Sequence, residues 1–155
     1  MLKKILGIGF KNCIFIHKKG TVTFLLPKDE LDRFGKKMAK NAEKNEKYAL
    51  NLLIELKNNT DRIMSIMNGI NNKIPTLVEY EKFAYVFRRH LAFHNFMKKS
   101  VDYLSPKMLE KLLPHFKDAR IYSEPVYSRT EEFFRELTTA IGKKENFNFK
   151  LLVST

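Results

Sequence analysis

The stretch Phe116-Lys-Asp-Ala-Arg-Ile-Tyr-Ser-Glu-Pro-Val-Tyr-Ser-Arg-Thr-Glu-Glu-Phe-Phe-Arg-Glu-Leu-Thr-Thr-Ala-Ile141 decides the fold class. Ala119, Tyr122, Val126, Thr130, Phe133, Leu137 and Ile141 recur three or four apart, the spacing that lines one side of an α-helix. Pro125 interrupts this stripe. It lacks the N–H that would bond the carbonyl of Ile121, so a kink or a break is expected near Ser123. The stripe keeps its phase across the proline, which favours the kink. Glu131, Glu132, Arg135 and Glu136 then form a charged outer face.

Upstream, residues 76–104 carry the longest uninterrupted pattern. Phe83, Phe87, His90, His94, Met97, Val101 and Leu104 alternate in steps of four and three, which predicts a central helix. Ser105 and Pro106 read as the cap and first position of a short helix over 107–113, ending near Pro114. Asn45 reads as the N-cap of an earlier helix bearing Tyr48, Leu52, Leu53, Leu56, Ile63, Ile66 and Met67, with a bend expected at 58–61. Another helix opens at Lys28 or Asp29 and carries Leu31, Phe34, Met38 and Ala42; Gly35 should weaken it by about 1 kcal/mol relative to alanine.

The two ends read differently. Residues 12–17 and 21–26 are β-branched and aromatic runs around Gly20, a hairpin signal. Gly142 is expected to end the last helix, with Lys143 and Lys144 suiting its C-terminus. The apolar tail that follows alternates through Phe147, Phe149, Leu151 and Val153 at the period of a strand. It is expected either to dock as a short C-terminal strand, against Phe133 and Leu137 or the hairpin, or to lead into a missing domain. The expected fold class is therefore mainly α. A single domain over 1–155 is a bundle of about five helices, with a hairpin at 12–26, a helical body at 28–141 and a tail at 147–155.

Composition narrows the function. A chain of 155 residues buries a core without staples. The lone Cys13 cannot form an internal disulfide, and it sits in an apolar run where a buried, unreactive thiol is expected. No signal peptide or apolar run of membrane-span length is present, so a cytoplasmic protein with no membrane partner is expected. The net charge of +12 admits a nucleic-acid partner. Residues 1–49 carry 12 basic and 5 acidic side chains, and residues 117–155 carry 7 and 6. That gradual decline, without a block of like charge, favours a solvated lysine-rich surface.

Few side chains suggest chemistry. His90 and His94 share a helix face at a spacing that can bridge a metal, but Leu91 stands where a zinc protease has glutamate, and His17 and His115 are distant. A satisfied pair, hydrogen-bonded at a helix interface, is the favoured reading. Arg88, Arg89, Lys98 and Lys99 surround it and could present cations to an anion or nucleic acid, although adjacent residues point about 100° apart. Tyr103, Tyr122 and Tyr127 could stack on bases, but at helical spacing they are expected to pack. No P-loop, dinucleotide-binding glycine motif or nucleophile elbow is found, so no catalytic residue and no cofactor are predicted.

Taken as a string, Ala119-Arg120-Ile121-Tyr122-Ser123-Glu124-Pro125-Val126-Tyr127, with Glu131-Glu132-Phe133 and the terminal Leu151-Leu152-Val153-Ser154-Thr155, resembles a stretch of phosphoenolpyruvate-utilising proteins, the relatives of phosphoenolpyruvate synthase. The hairpin, Pro27-Lys28-Asp29-Glu30-Leu31 and the long helices resemble the helical region that precedes their mobile phosphohistidine domain. The resemblance implies a non-catalytic accessory or interaction module whose partner is a phosphohistidine-type carrier. None of the four histidines has the glycine- and threonine-rich context of a carrier loop. A basic RNA- or anion-binding helical domain is the alternative, and self-association through aromatic faces a third reading.

Overall fold

The computed structural model describes residues 2–9, 14–18, 21–70 and 73–146. In chain order these form a short helix α1 (Leu2–Leu6), strands β1 (Ile14–Lys18) and β2 (Thr21–Leu25), and the helices α2 (Lys28–Lys44), α3 (Glu46–Ile70), α4 (Leu77–Ser100), α5 (Pro106–Ser123) and α6 (Pro125–Lys144). One 3₁₀ turn, Val101–Tyr103, follows α4. The described chain is mainly helical. β1 and β2 run antiparallel, with Ile14 opposite Leu25 and Lys18 opposite Thr21. Cys13, Gly20 and the tail at 147–155, expected as a buried thiol, a turn glycine and a docked strand, lie outside the described residues. Among the described residues no helix is long and apolar enough to cross a membrane.

Local chemistry sets the helix starts. The Asn45 side-chain oxygen accepts the Tyr48 N–H at 3.3 Å before α3. Thr76 and Glu79 close a reciprocal capping box at the head of α4. Ser105 accepts the Met108 N–H with Pro106 in the first turn of α5. The Ser105 N–H in turn donates to Glu43 at 2.6 Å, tying the start of α5 to the end of α2.

Buried positions then set the packing. In α3, Ala49, Leu53, Leu56, Thr60, Ile63, Met67 and Ile70 are buried, in alternating steps of four and three. In α4, Phe83, Val86, His90, Phe93, Met97 and Ser100 keep the same rhythm, with Phe87 and His94 half-buried beside them. Such seams favour nearly antiparallel neighbours. α3 packs against α2, α4, α5 and α6, so α3 rather than α4 is the helix on which the others converge.

α3 continues unbroken through 58–61, where the Asn59 amide donates to the Glu55 carbonyl and the Thr60 hydroxyl to the Leu56 carbonyl, side-chain bonds of the kind that bend a helix without ending it. Three expectations need correction. α5 does not end near Pro114 but continues to Ser123. Pro114 and Glu110 are both exposed, so the Glu110 carbonyl that loses its donor faces water. Tyr122 is exposed, and Ser123 takes the buried position. α6 passes Gly142 and ends at Lys144, after which Asn146 takes a left-handed φ of 54°.

At Pro125 only one residue, Glu124, separates α5 from α6, and it keeps helical angles, φ −61° and ψ −38°. Its N–H donates to the Arg120 carbonyl at 2.9 Å, and the Tyr127 N–H reaches back to the Glu124 carbonyl at 3.2 Å. The helical path therefore crosses the proline in phase. Leu112, Phe116, Ala119, Ser123, Val126, Thr130 and Phe133 form one buried seam across it.

Two apolar clusters fill the bundle. One joins Phe34, Met38, Leu53, Leu56, Phe93, Phe96, Leu112 and Phe116; the other joins Ile63, Met67, Phe83, Val86, Val126 and Phe133. Between them along each helix lie the buried polar residues Asn59 and Thr60 of α3, His90 of α4 and Ser123 of α5. The bundle has a polar waist.

Gly35 of α2 tests the packing. A Cβ placed there would collide with the Tyr103 ring and the Lys99 carbonyl oxygen, whereas a Cβ at Gly69 in α3 would meet nothing within 4 Å. Gly35→Ala should destabilise by about 1–3 kcal/mol despite its better helix propensity, and Gly69→Ala should stabilise by up to about 1 kcal/mol. Urea unfolding of both variants checks this; stabilisation by both would mean that α2 does not approach α4 so closely.

Candidate functional site

The waist holds the least ordinary side chains of the bundle. His90 is fully buried, and neither of its ring nitrogens has a hydrogen-bond partner. It lies parallel between Phe87 and His94, with ring centroids 6.3 Å from each. Tyr127 of α6 packs across both histidines, 5.6 Å from His90 and 5.3 Å from His94, and its hydroxyl oxygen is also buried without a partner. Stacking holds the rings, while the buried polar atoms carry a desolvation cost.

Burial accounts for the protonation of the three rings. Desolvation, with the neighbouring His94, pushes His90 down from 6.5 to about 4. Desolvation also lowers His94, helped by the charges of Lys98 and Arg120 and opposed by Glu124. Desolvation, followed by Glu124, pushes the Tyr127 hydroxyl up to about 12. All three are neutral at pH 7. Among the described residues no three His, Cys, Asp or Glu side chains converge where a metal could sit, so His90 and His94 form a packed pair with no third ligand beside them.

Beside this pair a cleft of about 650 Å³ opens between α4 and α5. That volume is in the range of small-molecule sites. Its apolar lining is Met97, Val101, Leu113 and Phe116. Met97 and Phe116 are buried and belong to the larger core cluster, so the floor is fixed by the packing of the bundle. Lys98, Lys117 and Arg120 stand around it with one carboxylate, Glu124, and the rings of His94 and Tyr127 close one side. Arg120 and Glu124 are both largely exposed and approach to 3.6 Å. An exposed pair at that distance holds the arginine weakly.

The cations singled out in the sequence do not form one surface. Lys98 lines the cleft. Arg89 is nine residues away, about 180° around the helix. It meets Glu55 of α3 at 3.4 Å and lies over the Phe93 and Tyr85 rings. Tyr103 and Tyr122 are engaged within the fold, each donating its hydroxyl at 2.6 Å, to Asp32 and Asp61. Lys117 and Leu113 were missed as functional candidates. The only signal for them was position: they sit one turn apart on the flank of the α5 seam, each directly after a buried residue, Leu112 or Phe116.

No family model, curated protein or solved structure matches the chain.

Arg120, Glu124 and Tyr127 of the segment 119–127 line the cleft.

Acid should expose the cost of the buried ring. Between pH 6.5 and about 4 the unfolded chain binds a proton at His90 and the folded chain does not. Stability is therefore fully present above pH 6.5 and falls as the pH drops, by about 3 kcal/mol from this residue. Urea unfolding at several pH values should show a flatter acid limb for His90→Leu than for the native chain, with no loss at pH 7, because the substitution removes two unpartnered nitrogens. An unchanged acid limb in the variant would clear His90 of this role.

Proposed function

We propose that this chain is a non-catalytic helical binding module that holds a small anion in the cleft between α4 and α5. One observation carries the reading: Lys98, Lys117 and Arg120 gather around a single cleft against one carboxylate, Glu124, beside the polar waist. Three cations from two helices meeting one acid give a local positive field that solvent screens less inside a concavity than on an open face. The same observation favours a small anion over RNA, because Arg89 is spent on Glu55 and faces away from Lys98.

An accessory role beside a phosphohistidine-type carrier remains part of this proposal. It is supported by the string at 119–127, three residues of which line the cleft. In that role the anion would be a phosphorylated or carboxylated metabolite of small size.

The test is a titration with phosphate, citrate and phosphoenolpyruvate, followed by amide chemical shifts at about 0.01 M ionic strength, where screening is weak. Saturable shifts should centre on His94, Lys98, Lys117 and Arg120 and weaken as salt is added. Exposed cations are worth up to about 1 kcal/mol each, so Lys98→Gln combined with Arg120→Gln should bind roughly tenfold more weakly, while Arg88→Gln should bind as the native chain does. Equal losses in all variants would show a diffuse surface effect, and no saturable shift with any anion would end the reading.

A further inference from the structure

We propose that the ligand of this cleft is an amphiphilic monocarboxylate, its head held by Lys98 and Arg120 and its aliphatic body laid along Met97, Val101, Leu113 and Phe116. This rests on the anion-binding reading and narrows it to a chemical class.

The lining selects the class. Its surface is mostly apolar, and a plain phosphate or citrate would leave that apolar surface facing water. Met97 and Phe116 form the back of the slot and are already buried in the core cluster, while half-buried Val101 and Leu113, a large apolar side chain 37% exposed, present open apolar surface along it. An alkyl chain would cover these two. Glu124 limits the charge of the head. It stands at the same end as Arg120, 3.6 Å from it, and would repel a second negative charge where it tolerates one shared with the guanidinium. Such an arrangement suits a single carboxylate at the mouth of an apolar slot.

His94 then becomes a reporter. Its ring is desolvated and faces Lys98 on its own helix, Arg120 and Glu124 on the other side, and the rings of His90 and Tyr127. A carboxylate seated between Lys98 and Arg120 offsets the two charges that oppose protonation of His94. Binding should therefore take up protons below neutral pH.

The experiment is a calorimetric and amide-shift series on the full chain with acetate, butanoate, hexanoate and octanoate, each below its aggregation limit, and with inorganic phosphate alongside. Each methylene buried should tighten binding by about fourfold. Leu113→Gln, at a rim position, should flatten that dependence. Arg120→Gln should weaken every member by the same factor and keep the slope. Calorimetry at pH 6 in two buffers of different ionisation enthalpy should show proton uptake on octanoate binding, and His94→Gln should abolish it. A flat series with phosphate bound at the same residues would overturn the amphiphile and leave the anion reading intact. Silence from every ligand would overturn both. A rising series insensitive to Arg120→Gln, or without proton uptake, would place the chain elsewhere on the protein and overturn the assigned head position.

Discussion

Pro125 removes one backbone donor from the middle of a seam that is otherwise continuous from Leu112 to Phe133, and the waist of the bundle is arranged around that gap. A proline inside a helix costs about 3 kcal/mol when the helix must bend around it unaided. Here Glu124 stays helical, and the turn tightens through the Tyr127 N–H reaching back three residues to the Glu124 carbonyl. The seam needs to be small at this level. Ser123 supplies that, nearly fully buried, with its hydroxyl donating to the Arg120 carbonyl at 3.2 Å. A tyrosine inside the seam would hold the helices apart, and Tyr122 instead turns outward to Asp61 of α3. The aligned pair Lys57 and Asp118 reinforces the same approach of α3 and α5 from the surface.

Much of this was legible because it is periodic. The long helices, their caps at Asn45 and Ser105, and the side they bury follow from spacing and end chemistry, which are local. The misreadings concern residues whose local preference was overruled by context. Pro114 resembles a stop, but its missing bond falls on a solvated carbonyl and costs the helix less than abandoning the Phe116 and Ala119 contacts would. Gly142 resembles a cap, but it is buried within α6. Gly35 reads as a weak point in α2, and the cause is that α2 comes close to the Lys99 backbone and the Tyr103 ring. In each case the deciding neighbour lies on another helix.

The candidate site divides along the same line. The histidine pair was visible as a spacing of four, and its reading as a packed pair follows from the stack with Phe87 and Tyr127. The cleft was not visible, because it is formed by α4 and α5 standing on either side of α3, which packs against both. Lys98 and Arg120 lie 22 positions apart, and no one-dimensional pattern links them. The charge count, for its part, does not locate the cleft. A net charge of +12 suggests a broad basic face, yet Arg89, Arg129 and Arg135 are spent on Glu55, Glu136 and Glu131 within the fold. What matters is the local imbalance around one cleft.

The polar waist raises a question of cost. Two apolar clusters, each with several wholly buried side chains worth roughly 1.5–3 kcal/mol apiece, lie on either side of it. A bundle held from both ends can carry a costly middle. Unpartnered nitrogens on His90 and an unpartnered hydroxyl on Tyr127 lower stability, and an aliphatic residue at 90 would pack there at less cost. Proteins that break the rules of core composition tend to do so where a site needs polarity or a fixed geometry. The same stack that burdens the core also fixes the Tyr127 and His94 rings as one wall of the cleft, with few alternative rotamers available. The polar atoms are then the consequence of building a rigid aromatic wall beside a charged mouth, and the two apolar clusters are what allow the bundle to hold it there.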